Sequence, residues 1–94
     1  MPYLFMHFNV EDFAKWKPVF DERAAMRRSG GSKGGFVFQN ADDSNDVLIV
    51  LEWDSVENAR RYSQSDDLRQ AMEHAGVSGP PYIRFLELAD KPSV

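Results

Sequence analysis

The run Val47-Leu48-Ile49-Val50-Leu51-Glu52-Trp53 restricts the architecture more than any other part of this chain. Its β-branched and aliphatic residues make a strand, and no polar residue alternates with them before Glu52. Successive strand side chains point to opposite faces, so a run that is apolar at both faces has to be covered on both sides. Two amphipathic helices, which the chain also encodes, cover one face of a four-stranded sheet. The other face calls for a second cover, and a second copy of the same chain is the expected one.

Size points the same way. A chain of 94 residues makes one domain, spanning 1–94. Such a domain buries only about 60–65% of its unfolded surface. There is no cysteine, hence no disulfide and no thiolate metal site to reinforce it. Dimerisation is the remaining way to enlarge the core. Apolar residues make up 43% of the chain, enough for a packed globule. The net charge of −4 argues against nucleic acid, because phosphate binding needs a basic face. No apolar run approaches the ~20 residues of a membrane span. Met1-Pro2-Tyr3-Leu4-Phe5 lacks the basic stretch of a secretory leader, so a cytoplasmic location is expected.

Along the chain, 3–8 reads as the first strand, with Tyr3, Phe5 and His7 on one face and Leu4, Met6 and Phe8 on the other. Asn9 is the expected cap of a first helix that runs to about Arg28, with Phe13, Trp16, Phe20 and Ala24 as its buried stripe and a kink at Pro18. Gly30 to Gly35 is expected as a loop, Gly35 to Gln39 as strand two, and Asn40 to Asp46 as an acidic turn into strand three at 47–53. Asp54 or Ser55 caps helix two, and Ser65-Asp66-Asp67 restarts it. Gly76 ends that helix, and Gly79-Pro80-Pro81 leads into strand four at 82–88. The order is β-α-β-β-α-β: an α+β, ferredoxin-like domain with an antiparallel four-stranded sheet.

Several segments narrow this. Leu51-Glu52-Trp53-Asp54, Ala59-Arg60, Ser65-Asp66-Asp67-Leu68, Ala75-Gly76-Val77 and Gly79-Pro80-Pro81 resemble a group of small bacterial proteins in the dimeric α+β barrel superfamily, near the antibiotic-biosynthesis-monooxygenase-like proteins. Phe13-Ala14-Lys15-Trp16-Lys17 with Phe20-Asp21 resembles the first helix of the same group. The resemblance implies a homodimer whose sheets face each other, with a cavity in each subunit between sheet and helices. It also implies attack of oxygen on an electron-rich aromatic or polyketide-like compound with no cofactor, neither flavin nor metal. No catalytic residue carries over by motif.

The candidate groups therefore come from their own chemistry. His7 has a side chain that titrates near operating pH, so it is the candidate catalytic base if its face lines the cavity. The plainer role is a hydrogen-bonded histidine at the sheet or dimer face. Arg23 and Arg27 stand four apart on helix one and are candidates to hold an anionic substrate, or else ordinary partners of Asp21 and Glu22. Trp16, Trp53 and Tyr62 are the candidate aromatic wall for a flat ligand, and also what a core needs. Asn58 is a weaker candidate for a polar contact. His74, in a last helical turn, suits a surface cap. Gly30–Gly35 with Lys33 is no phosphate loop, because a strand follows it and no helix does. Two histidines 67 positions apart, without cysteine, make a poor metal or haem site. Two functions lead, with a stress or dehalogenation-type enzyme of the same fold as a third reading: a cofactor-independent monooxygenase or related enzyme for an aromatic substrate, and a non-catalytic homodimer that binds a small molecule or serves assembly. They differ in whether His7 and an arginine converge on one pocket.

Overall fold

A computed structural model describes all 94 residues. The elements are β1 (Pro2–Val10), α1 (Phe13–Glu22), α2 (Ala24–Gly30), β2 (Ser32–Asn40), β3 (Asp43–Trp53), α3 (Val56–Ser63), α4 (Asp66–His74) and β4 (Val77–Glu87). The four strands form one antiparallel sheet in the order β2-β3-β1-β4, so the two most apolar strands occupy its centre. The fold is ferredoxin-like α+β, with each helical crossover broken into two helices. No helix is long and apolar enough to cross a membrane.

Strand register sorts every side chain to a face. Leu4, Met6, Phe8 and Val10 of β1 and Val47, Ile49, Leu51 and Trp53 of β3 point toward the helices and are buried. Trp16, Ala59, Leu68 and Ala75 close over them from the helical layer. The opposite face carries Tyr3, Phe5, His7, Leu48, Val50, Phe36, Phe38, Tyr82, Arg84 and Leu86. No helix covers that face. Phe36 is 63% exposed, Phe38 50%, Tyr82 49% and Leu86 41%.

The boundaries differ from the sequence expectations in five places. β1 continues to Val10, so the cap of α1 is Asp12, whose Oδ1 accepts from the Ala14 N–H at 2.9 Å. Pro18 stays within α1, and the regular helix stops instead at Arg23. The Gly-rich segment is mostly strand: Gly31 (φ 119°) ends α2 in the left-handed region, and β2 starts directly at Ser32. The turn between β2 and β3 shrinks to Ala41-Asp42, and Asp43–Asp46 extend β3. β4 likewise starts at Val77, before its prolines. An edge strand tolerates Pro80 and Pro81 because one side of it has no ladder to supply. Ser55 and Ser65 cap α3 and α4 through Oγ, each accepting a backbone N–H at 3.1 Å.

Gly35 is required by a close approach. A Cβ there would lie 1.9 Å from the carbonyl oxygen of Val50 on the paired strand. Backbone atoms cannot step aside as a flexible side chain does. Gly35→Ala is expected to destabilise the fold by about 1–3 kcal/mol, the range for overpacking. On a domain of this size that lowers the melting temperature by at least about 4 °C. An unchanged melting curve would contradict the tight β2–β3 packing.

Candidate functional site

The helical break at Arg23 creates the most unusual group in the molecule. At the break the Phe20 carbonyl accepts the Arg23 N–H at 3.2 Å, and the Arg27 guanidinium reaches back to donate to the same oxygen at 2.7 Å. The same guanidinium lies 3.7 Å from the centre of the Phe20 ring, a cation–π contact. Arg27 is consequently buried, at 8% exposure. Arg23, Arg61 and Arg69 pair with Asp67, Glu57 and Asp66 respectively. No carboxylate comes within ion-pair distance of Arg27. Burial pulls its guanidinium below the ordinary value, while the Tyr62 hydroxyl and Asp21 act in the opposite direction.

Around Arg27 the helices and sheet enclose an aromatic chamber. Trp16 stacks on Phe20 at 5.0 Å between ring centres and meets Phe8 edge-on at 5.7 Å. Tyr62 enters from α3, with Met6, Ile49 and Met72 completing the walls. The remaining space is about 30 Å³, whereas about 150 Å³ admits a benzene molecule in an engineered protein cavity. Side chains therefore fill the chamber. Beside it, between α2 and β2, lies an open cleft of about 490 Å³, within the usual range for small-molecule sites. Phe20 and Arg27 belong to both spaces and separate them. Another groove of about 470 Å³, between α4 and β4, has neither an aromatic ring nor a buried cation.

Of the residues singled out from sequence, Trp16, Arg23, Arg27 and Tyr62 gather on the chamber. Arg23 faces its rim, ion-paired to Asp67 of α4. Trp53 stands behind Tyr62, with ring centres 5.0 Å apart, fully buried and with its indole N–H unpartnered. Asn58 lies on the outside of α3, donating to Asp54 at 2.9 Å and accepting from Arg61 at 3.0 Å. His74 is exposed in the last turn of α4.

His7 lies elsewhere. It sits across the sheet from the chamber, in register with Leu48 and Tyr82 on the uncovered face. Its Nε2 is 2.5 Å from Asp46 Oδ1, and Asn40 donates to the other Asp46 oxygen at 2.9 Å. Hydrogen bonds from Asn40 and His7 hold the Asp46 carboxyl below its usual range. His7 and the arginines of helix one thus do not converge on one pocket. Sequence reasoning did not single out Asp46, Phe20 as a ligand contact, or Arg28. A signal for Asp46 existed in the sequence: it is the acid immediately before the apolar run, and antiparallel pairing of the first and third strands brings it close to His7. No group of three or more His, Asp or Glu side chains comes together to hold a metal.

Solved structures share this architecture. A protein from Bordetella bronchiseptica described as a candidate antibiotic biosynthesis monooxygenase superposes with a TM-score of 0.79 at 14% identity, covering 94% of this chain and 96% of its own. SnoaB, a cofactor-independent oxygenase from Streptomyces nogalater, gives 0.79 at 14% identity over 99% and 97%. A protein from Deinococcus radiodurans with the same candidate description as the first gives 0.74 at 16% over 100% and 98%. The chain therefore has the ferredoxin-like α+β fold that these antibiotic-biosynthesis-monooxygenase-like structures share. No protein-family model matches the sequence, and no curated protein matches it significantly.

Burial pushes the Tyr62 phenol above its ordinary value, with the Arg27 cation partly opposing this. A phenol that ionises later in the folded state contributes stability that is present at lower pH and lost as pH rises through its folded value. The unfolding free energy is therefore expected to fall as pH increases beyond about 10. Tyr62→Phe should flatten that fall in denaturant titrations across the alkaline range. An identical alkaline slope in the variant would remove Tyr62 as the group responsible.

Proposed function

We propose that this protein is a homodimeric, cofactor-independent monooxygenase acting on an aromatic or polyketide-like compound bound on the helix-covered side of the sheet. The observation that carries the reading is the buried Arg27, a cation without a carboxylate partner, placed among aromatic rings at the inner end of an open cleft. The shared fold with SnoaB supports it. A flat substrate enters the cleft, and its ring packs against Phe20, with Trp16 and Tyr62 behind. Arg27 favours the ionised form of an acidic phenol or enol, so its proton can leave to water in the cleft. The electron-rich anion donates to dioxygen, and a carbon–oxygen bond forms. Protonation gives a hydroperoxide at a methylene carbon, and loss of water leaves a carbonyl. One CH2 and one O2 thus give one C=O and one H2O.

The same reading includes the dimer. Phe36, Phe38, Tyr82 and Leu86 form an exposed apolar face larger than scattered surface residues account for. Packing this face on its copy covers the second side of β1 and β3. Phe38→Asp is expected to give a monomer by sedimentation at micromolar concentration, with helical circular dichroism retained. A wild-type monomer at that concentration would refute the assembly.

Oxygen consumption with an acidic anthrone-type substrate tests the activity. Uptake without added flavin, haem or metal, unaffected by a chelator and lost in Arg27→Gln, is expected. Because Arg27 also caps the Phe20 carbonyl, the variant's melting curve must accompany its rates. His7→Ala separates two versions of the chemistry. Unchanged turnover agrees with proton loss to water on the helix side. Lost turnover in an intact dimer makes His7 the base and moves the substrate to the His7–Asp46 face. A second reading, a non-catalytic dimer that binds a small molecule, draws on the filled chamber of about 30 Å³. Tight binding of aromatic compounds with no oxygen uptake would favour it.

A further inference from the structure

We propose that the cleft between α2 and β2 is a carboxylate-recognition site, so that the compound this protein binds is an aromatic acid. The inference rests on the helix-side location of the site in the reading above, but not on its oxygen chemistry. Three cations line the cleft, Arg27 at its inner end and Arg28 and Lys33 nearer solvent, and no acidic side chain does. That composition runs against the chain as a whole, which carries 15 acidic and 11 basic residues and a net charge of −4. Cations gathered in a concave, partly apolar wall raise the local concentration of anions well beyond what net charge suggests.

The state of Arg27 adds a second, independent observation. A guanidinium has five N–H donors, and Phe20 O is the acceptor that Arg27 meets at hydrogen-bond distance. A buried cation without a counter-charge is costly, and a bound carboxylate lowers that cost while matching the planar fork of the guanidinium. Arg23, Arg61 and Arg69, by contrast, are already paired with acids of their own helices or of α4. Arg27 and Arg28 are held on α2, and Lys33 on β2, so both walls of the cleft contribute charge. Phe20, Val37 and Leu51 supply the apolar part of the same lining, and Phe36, whose ring is on the other face, borders it through its backbone. Gly34 and Gly35 leave the β2 wall between them without side chains. An inorganic anion uses the cations and leaves these apolar walls wet. A neutral aromatic uses the walls and leaves the cations unpaired. An aromatic carboxylate satisfies both, with its head among Arg27, Arg28 and Lys33 and its ring along the apolar wall.

Isothermal titration of the wild-type protein with 2-naphthoate, 2-naphthamide and inorganic phosphate tests this directly. The acid is expected to bind at least about tenfold more tightly than its neutral amide, and the difference should shrink as salt is raised. Arg28→Gln and Lys33→Gln, both at exposed positions, should each weaken naphthoate by about tenfold while leaving the amide unchanged. Equal affinity for acid and amide, unaltered naphthoate binding in both variants, or binding of phosphate without naphthoate would each overturn the proposal. Oxygen-uptake assays keep the two readings apart. Acid-selective binding without uptake leaves this site standing and removes the oxygenase. Uptake with neutral substrates and no preference for the acid does the reverse.

Discussion

Everything in this molecule depends on the pairing of β1 with β3 at the centre of the sheet. Seven register pairs, from Tyr3 with Glu52 to Asn9 with Asp46, bring two strands together that are apolar on both faces. On one side, Leu4, Met6, Phe8, Val47, Ile49 and Leu51 create a surface that only the helical layer can bury. On the other side, Tyr3, Phe5, Leu48 and Val50 are half-buried and continuous with the exposed rings of β2 and β4. Apolar area is worth about 25 cal/mol for each Å² removed from water, so leaving the second face wet sacrifices stability that a domain this small needs.

The helical layer has to wrap a twisted sheet with short elements, and it does so by breaking each crossover in two. The second break is capped conventionally by Ser65. The first is not: Arg23 makes no side-chain cap, and the Phe20 carbonyl there accepts both the Arg23 N–H and the Arg27 guanidinium. That second bond to a carbonyl holds a cation against aromatic rings at the meeting point of chamber and cleft. The sheet separates this region from the His7–Asp46 pair, and strand alternation makes that separation unavoidable. Met6 and Phe8 point into the core, so His7 cannot.

Much of this could be read before any coordinates. The order of strands and helices, the buried stripes through Trp16, Ala59 and Leu68, the caps at Ser55 and Ser65, and the uncovered sheet face follow from period and cap chemistry, which are local. The errors were also local in form but tertiary in cause. Glycines at 30–35 read as a loop because their conformational freedom is visible in sequence, whereas the ladder that recruits them to β2 belongs to β3. Pro18 drew attention as the helix breaker, yet the helix stops at Arg23, where an ion pair to Asp67 spans 44 positions.

The candidate site divides along the same line. The sequence alone determined which residues carry chemistry worth considering: two histidines, the arginines of the first crossover, and the Trp and Tyr rings. It also determined that His7 opposes the buried face of β1, because alternation of side chains is a property of the strand itself. Only the tertiary structure decided which of these groups meet. Arg23 was assigned a carboxylate and Arg27 was not, and Asp46 was brought to His7. Arg28 and Lys33 came to line one cleft because α2 and β2 are antiparallel neighbours across a single left-handed glycine. Such meetings depend on register and on how helices cross the sheet, and both are set by packing between segments far apart in the chain.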